Sequence, residues 1–135
     1  MQKERSIVMY GLIVPNVDSD CDNKLTAERL LRSLGANGRL TGFAYTVFIV
    51  NHLLEEPDNY FFLTKIIYPE TAKYFHVKPA SVEHAIRTVI RTCWDRTDHS
   101  AIDYIAGRHL ERMPTNSEFI DILSAFLKYH NKESA

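Results

Sequence analysis

The stretch Tyr68 to Trp94, YPETAKYFHVKPASVEHAIRTVIRTCW, decides the fold. Pro69 and Pro79 each suit the first position of a helix, where a missing N–H leaves no bond unmade. Between them Ala72 and Phe75 stand one turn apart on one face, and Val77 follows in a turn. Beyond Pro79, the residues Val82, Ile86, Val89 and Cys93 recur at steps of four, three and four, the repeat of a single helix face. The spacing predicts a short helix, a tight turn and a longer helix, each with its apolar side turned inward.

Two helices that cross steeply over a turn of three or four residues make a helix-turn-helix. The unit needs small and apolar residues at fixed offsets, because the helices approach closely. Ala72 is the small residue, and Val77 and Val82 follow it at the required intervals; His76 stands where many such turns carry glycine. An ordinary helical hairpin satisfies the same spacing, so the outward side of the second helix has to decide. Ser81, His84, Arg87, Thr88 and Arg91 fall opposite the apolar stripe, with Glu83 on its flank. In DNA readers of this build the second helix enters the major groove. Arginine can hold guanine by two bonds there, a carboxylate can accept from the cytosine amino group, and serine or threonine can do either. The competing reading is a solvated face carrying a Glu83–Arg87 pair at i,i+4, worth about 0.2 to 0.5 kcal/mol. Lys78, Ser81, Glu83, His84, Arg87, Thr88 and Arg91 are the candidate DNA-binding residues.

Three blocks carry a resemblance to a known family: LTKIIYPETAKYF from Leu63 to Phe75, VEHAIRTVIRTCW from Val82 to Trp94, and MPTNSEFI from Met113 to Ile120, the last being the most specific. Together with a weaker likeness through the Gly35 region and Gly42-Phe-Ala-Tyr, they make residues 25 to 130 similar to the DNA-binding effector domain of the master sporulation response regulator of endospore-forming bacteria. The resemblance implies an all-α, compact bundle of about six helices containing a helix-turn-helix, and sequence-specific binding to double-stranded promoter DNA without enzyme activity. It further implies a homodimer on tandem sites, met partly through the C-terminal region, and RNA polymerase or a related regulator as protein partner.

At the reading helix, Glu83 and Arg87 match residue types that the family uses on DNA. Ser81 and His84 stand where the family typically has arginine, and Thr88 where it typically has histidine. Each lost bidentate guanine contact removes about 1 to 3 kcal/mol of base discrimination, so a different target sequence is expected. The family's regulators carry a phospho-accepting receiver ahead of this domain. A chain of 135 residues from Met1 has no room for one, so activation by phosphorylation in cis is not expected. A changed reading face also fits a protein-interaction module that pairs with, or antagonises, a full-length regulator of the family without specific DNA reading.

The length suits one domain, and a hydrophobic share of 45% supports a packed core over a disordered chain. The formal net charge is −1, which gives no whole-chain sign of nucleic-acid affinity. Its distribution does: residues 64 to 96 hold six basic against three acidic residues, and the rest of the chain carries −4. Positive charge is thus concentrated on the helix-turn-helix, as attraction to phosphate requires. Cys21 and Cys93 form no CxxC, and the six histidines are scattered, so neither a metal site nor a cofactor is expected. There is no Gly-rich phosphate loop, HExxH or GxSxG. The apolar run Ile7 to Val14 is too short to span a bilayer, and the chain reads as cytoplasmic.

Residues 1–23 form an N-terminal segment of unassigned structure, strand or short helix, with loop composition from Pro15 onward; residues 24–135 make the helix-turn-helix domain. Helices are expected from about Leu25 to Leu34, ended by Gly35, and from about Leu40 to Glu55, with Leu40, Phe43, Val47 and Leu54 inward. Phe62, Ile66 and Ile67 are expected to pack inward before Tyr68-Pro69 interrupts the chain. A short helix should cover Ala101 to Ala106, closed by Gly107, and Arg108, His109 and Arg112 follow in a connection that could lie near phosphates as readily as in a solvated loop. Thr115 and Glu118 have capping-box spacing and should open a last helix with Phe119, Ile122, Leu123, Phe126 and Leu127 inward.

Overall fold

The structure, a computed structural model, describes residues 5–9, 12–16, 24–95 and 98–134. Of the loop expected from Pro15 to Asn23, Pro15 and Asn16 belong instead to a strand, and residues 17–23, Cys21 among them, lie outside the described residues, as does Arg96. Among the described residues six α-helices make up the greater part: α1 (Ala27–Leu34), α2 (Thr41–Glu55), α3 (Tyr68–Phe75), α4 (Pro79–Trp94), α5 (Ser100–Ala106) and α6 (Asn116–Ser134). They realise the all-α bundle expected from the sequence. To it the N-terminal segment adds an antiparallel pair of strands, β1 (Arg5–Met9) and β2 (Leu12–Asn16), with Ile7 opposite Val14, and β2 runs beside α1.

Local chemistry sets the helix ends. Thr26 Oγ1 accepts the Arg29 N–H at 3.2 Å and opens α1, while Gly35, at φ 112°, closes it by a left-handed turn. Thr115 Oγ1 accepts the Glu118 N–H at 3.2 Å, and a Glu118 carboxylate oxygen accepts the Thr115 N–H at 2.9 Å, so the expected capping box opens α6. Asn131 ties the far end of α6 to the segment just before α1: its side-chain amide both accepts the Leu25 N–H and donates to the Leu25 carbonyl, at 2.9 and 3.0 Å. α6 therefore runs beyond His130, to Ser134.

Helix α4 buries Val82, Ile86, Val89, Ile90 and Cys93, the expected stripe widened by Ile90. It packs chiefly on α2, whose buried side is Gly42, Phe43, Tyr45, Thr46, Ile49, Val50 and Leu53. Leu40, Val47 and Leu54, expected inward, are only partly buried. Thr46 is fully buried and satisfied, donating Oγ1 to the Gly42 carbonyl at 2.8 Å. At Gly42 the two helices touch backbone to backbone: a Cβ there would lie 2.3 Å from the Ala85 carbonyl oxygen.

Before α3 the chain departs from a plain helix. A 3₁₀ segment, Pro57–Phe62, runs into a π-helical turn, Leu63–Ile67, in which the Tyr68 N–H bonds to the Leu63 carbonyl. Pro69 has no N–H to give back to this turn, which accounts for the widening. The change of winding brings Leu63 and Ile67 into the core and leaves Phe62 and Ile66 46% and 39% exposed, correcting the expected inward set. Tyr68 and Pro69 continue this turn into α3 instead of interrupting the chain. In the turn after α3, His76 takes the left-handed conformation (φ 60°, ψ 46°), and Val77 is exposed although its spacing suggested a core contact. Phe75 packs against Tyr45 and Phe48, with ring centres 4.9 and 5.6 Å away. Among the described residues, no helix is long and apolar enough to cross a membrane.

Candidate nucleic-acid interface

The candidate interface is built on α4. Lys78 precedes it in an extended conformation, and its carbonyl accepts the Ser81 and Val82 N–H groups at 2.9 and 3.2 Å, while Pro79 supplies the first helical residue. With the buried stripe fixed on α2 and α6, the helix repeat turns Ser81, His84, Thr88 and Arg91 to the opposite side, and all four are exposed. Lys78 is exposed beside them. Thr88 Oγ1 donates to the His84 carbonyl at 3.3 Å, and Thr92 Oγ1 to the Thr88 carbonyl at 3.0 Å, so two hydroxyls lie back along the helix.

Glu83 and Arg87 occupy the flank of α4 that faces the start of α6. Arg87 was expected on the outward face; it is instead half-buried, and its Nη1 donates to the Pro114 carbonyl at 2.9 Å. Asn116 Nδ2 donates to the Glu83 backbone carbonyl at 3.0 Å, a second bond between the same segments. The Glu83–Arg87 ion pair is absent from the ion pairs of the described residues, which are Arg32–Glu28, His109–Asp103 and Arg112–Glu118. The candidate residues thus divide into an outward set, Lys78, Ser81, His84, Thr88 and Arg91, and a flanking pair, Glu83 and Arg87.

Tyr68, at the start of α3, lies under this flank. Burial raises its phenol above the usual value, opposed by a hydrogen bond with Asn116, and the Glu83 charge adds to the rise. A neutral phenol sealed beneath the helix suits a support, not a reading residue.

The connection from α5 to α6 borders the same flank in a shallow cavity of about 430 Å³ whose lining includes Arg108, His109, Arg112, Pro114 and Glu118. Two of its side chains are held by carboxylates. His109 Nδ1 lies 2.8 Å from an Asp103 oxygen, and Arg112 reaches Glu118 at 3.2 Å. Glu118 is held below the usual carboxylate range by the Thr115 N–H and then by Arg112. At Asp103 partial desolvation pushes upward, but the Leu110 N–H and His109 outweigh it and the carboxyl is lowered.

On the other flank an open groove of about 570 Å³ runs along the junction of α4 with the start of α2, over the contact of Gly42 with Ala85. Arg39 lines it with Thr41, Ser81, His84 and Thr88. Sequence reading missed Arg39, because nothing local links it to a helix that begins 40 residues later. The placement of Asn116 did have a signal: it falls in MPTNSEFI, the block that singled itself out without an evident helix-turn-helix role. Among the described residues, no group of three or more His, Cys, Asp or Glu is placed to hold a metal ion.

The arrangement offers a convex, hydrogen-bonding helix between two concavities, the form needed to enter a groove between two backbone ridges. The family model described as "Sporulation initiation factor Spo0A C terminal" matches residues 27–127.

Proposed function

Since the chain belongs to the family of the Spo0A C-terminal domain, a DNA-binding effector domain of a sporulation transcription factor and not an enzyme family, we propose that it is a sequence-specific regulator that reads promoter DNA with α4. The observation that carries the reading is the uncovered outward side of α4, where Ser81, His84, Thr88 and Arg91 are exposed together beside Lys78. Hydroxyl, imidazole and guanidinium groups at this spacing meet base edges and phosphates at successive steps of a major groove. Glu83 and Arg87 join them from the flank. Arg87 can exchange the Pro114 carbonyl for a guanine edge, since its guanidinium is only half-buried.

With two family arginines replaced by Ser81 and His84, the base sequence selected should differ from that of regulators that keep them. Contact between neighbouring copies on tandem sites, and with RNA polymerase or a related regulator, belongs to the same reading. Selection from a random DNA pool followed by mobility-shift titration tests it. A consensus bound more tightly than scrambled DNA, and weakened by His84→Ala, is the expected result. Equal binding to every sequence, unchanged by His84→Ala or Arg87→Ala, would overturn it.

Two observations favour a second reading. Arg87 is committed to a protein carbonyl, and the N-terminal half of the outward face has no guanidinium of its own. A module that pairs with a full-length regulator of the family would tolerate both features. Recovery of such a regulator with the tagged chain, combined with no specific shift on DNA, would select it.

A further inference from the structure

We propose that the groove between the start of α2 and the outward side of α4 seats one strand of the DNA backbone, with Arg39 as its phosphate contact. The inference rests on the reading of α4 as the base-reading helix and adds to it a contact from a separate element. A helix lying in a major groove about 12 Å wide has a phosphate ridge on each side, so a protein surface that admits the helix must give way beside it. The groove of about 570 Å³ provides that concavity, and its walls are shared: Ser81, His84 and Thr88 from α4, Arg39 and Thr41 from the approach to α2.

Charge favours this flank over the other. Nothing lining the groove carries a carboxylate. The cavity on the opposite flank includes Glu111 and Glu118, and its Arg112 is occupied by Glu118. The Arg39 guanidinium is exposed and belongs to none of the ion pairs among the described residues, whereas its neighbour Arg32 is paired with Glu28 at 3.2 Å. The Arg39 backbone is nevertheless fixed, since its N–H donates to Asn37 Oδ1 at 2.8 Å. A free cation on an anchored backbone, at the rim of a concavity beside the reading helix, is what a positioning contact to phosphate requires.

The test is the salt dependence of binding by the full chain, measured on the selected DNA sequence and on a scrambled one. Arg39→Ala should weaken both by the same factor and reduce the slope of log K against log salt by about 0.9, the share of one phosphate. Arg39→Lys should keep the slope. Lys128→Ala, on α6 beside the far end of α2, should leave it unchanged. An unaltered slope in Arg39→Ala, or an equal loss in Lys128→Ala, overturns the inference while leaving sequence reading by α4 intact. A loss confined to the selected sequence overturns it too, because a phosphate contact carries no base preference. Absence of binding by the unsubstituted chain to any DNA would remove the reading of α4 and this inference with it.

Discussion

Arg87 Nη1 donates to the Pro114 carbonyl at 2.9 Å and so ties the flank of α4 to the connection that leads into α6. Pro114 is buried, so its carbonyl has little recourse to water once the guanidinium leaves. Arg87→Ala should therefore act twice. Loss of the bond should cost about 1 to 3 kcal/mol of folding stability, because it leaves a buried acceptor unsatisfied. On the proposed role of Arg87 at a base edge, binding to the selected sequence should weaken by roughly 1 to 3 kcal/mol as well, with specificity relaxed at one position. Urea unfolding and mobility-shift titration separate the two. A stability loss with unchanged affinity for the folded fraction would reduce Arg87 to a structural strut.

The helix that carries Arg87 meets the backbone of α2 at Gly42. Any side chain at residue 42 must displace the Ala85 carbonyl, because even a methyl carbon would sit 2.3 Å from its oxygen. Gly42→Ala adds helix propensity, a gain of about 1 kcal/mol at an exposed site. The overlap is with backbone, which cannot rotate away, and overpacking of this kind costs about 1 to 3 kcal/mol or more. The net expectation is destabilisation together with a shift of α4, read as a lower urea midpoint and weaker DNA binding. A variant as stable as the original would mean that the helices are not in contact at this point.

What the sequence made legible follows from contrast. The stripe of α4 was readable because Val82, Ile86, Val89 and Cys93 alternate with polar residues, and the start of α6 because Thr115 and Glu118 satisfy a local hydrogen-bond pattern. Helix α2 is apolar nearly all round, so its periodicity has little contrast, and Leu40, Val47 and Leu54 were assigned inward when Tyr45, Thr46, Ile49 and Val50 hold that side. Phe62 and Ile66 were misplaced because a π turn shifts the phase by which an α-helical reading counts. In the candidate site, Ser81, His84, Thr88 and Arg91 were legible as one face. The capture of Arg87 by Pro114, 27 residues away, and the approach of Arg39 were not, since both depend on how distant segments pack.

The capping box at α6 gives a pH dependence of definite sign. The Glu118 carboxyl is lowered below its ordinary value of 4.5 by the Thr115 N–H and then by Arg112. A carboxyl lowered by folding binds its proton more readily in the unfolded chain, so stability rises with pH across that window. Its contribution is complete above the ordinary value of 4.5 and disappears as the pH falls through the lowered folded value. Glu118→Gln keeps an acceptor for the Thr115 N–H but removes the charge. The variant should be less stable than the original at neutral pH, and the two should converge in acid below the ordinary carboxylate range. Urea midpoints measured between neutral pH and the acid limit check this; a constant gap would show that the charge is not involved.

His76 closes α3 with φ 60° and ψ 46°, and its N–H bonds to the Lys73 carbonyl at 3.3 Å. It is the one described non-glycine residue with positive φ. A side chain in the left-handed region costs about 1 to 2 kcal/mol through the crowding of Cβ against the following carbonyl. Glycine escapes that cost but loses about 0.5 to 1 kcal/mol more backbone entropy on folding. The His76 side chain is exposed, so little packing is lost with it. His76→Gly should therefore stabilise the fold by roughly 0.5 to 1 kcal/mol, the difference of these two effects. His76→Asn should fall between glycine and the original, since asparagine tolerates this conformation better than most residues. His76→Val should be the least stable, because a branched Cβ sharpens the clash. The ranking Gly, Asn, His, Val in urea midpoint is the measurement. Valine equal to glycine would mean that the turn between α3 and α4 does not hold the left-handed geometry seen at His76.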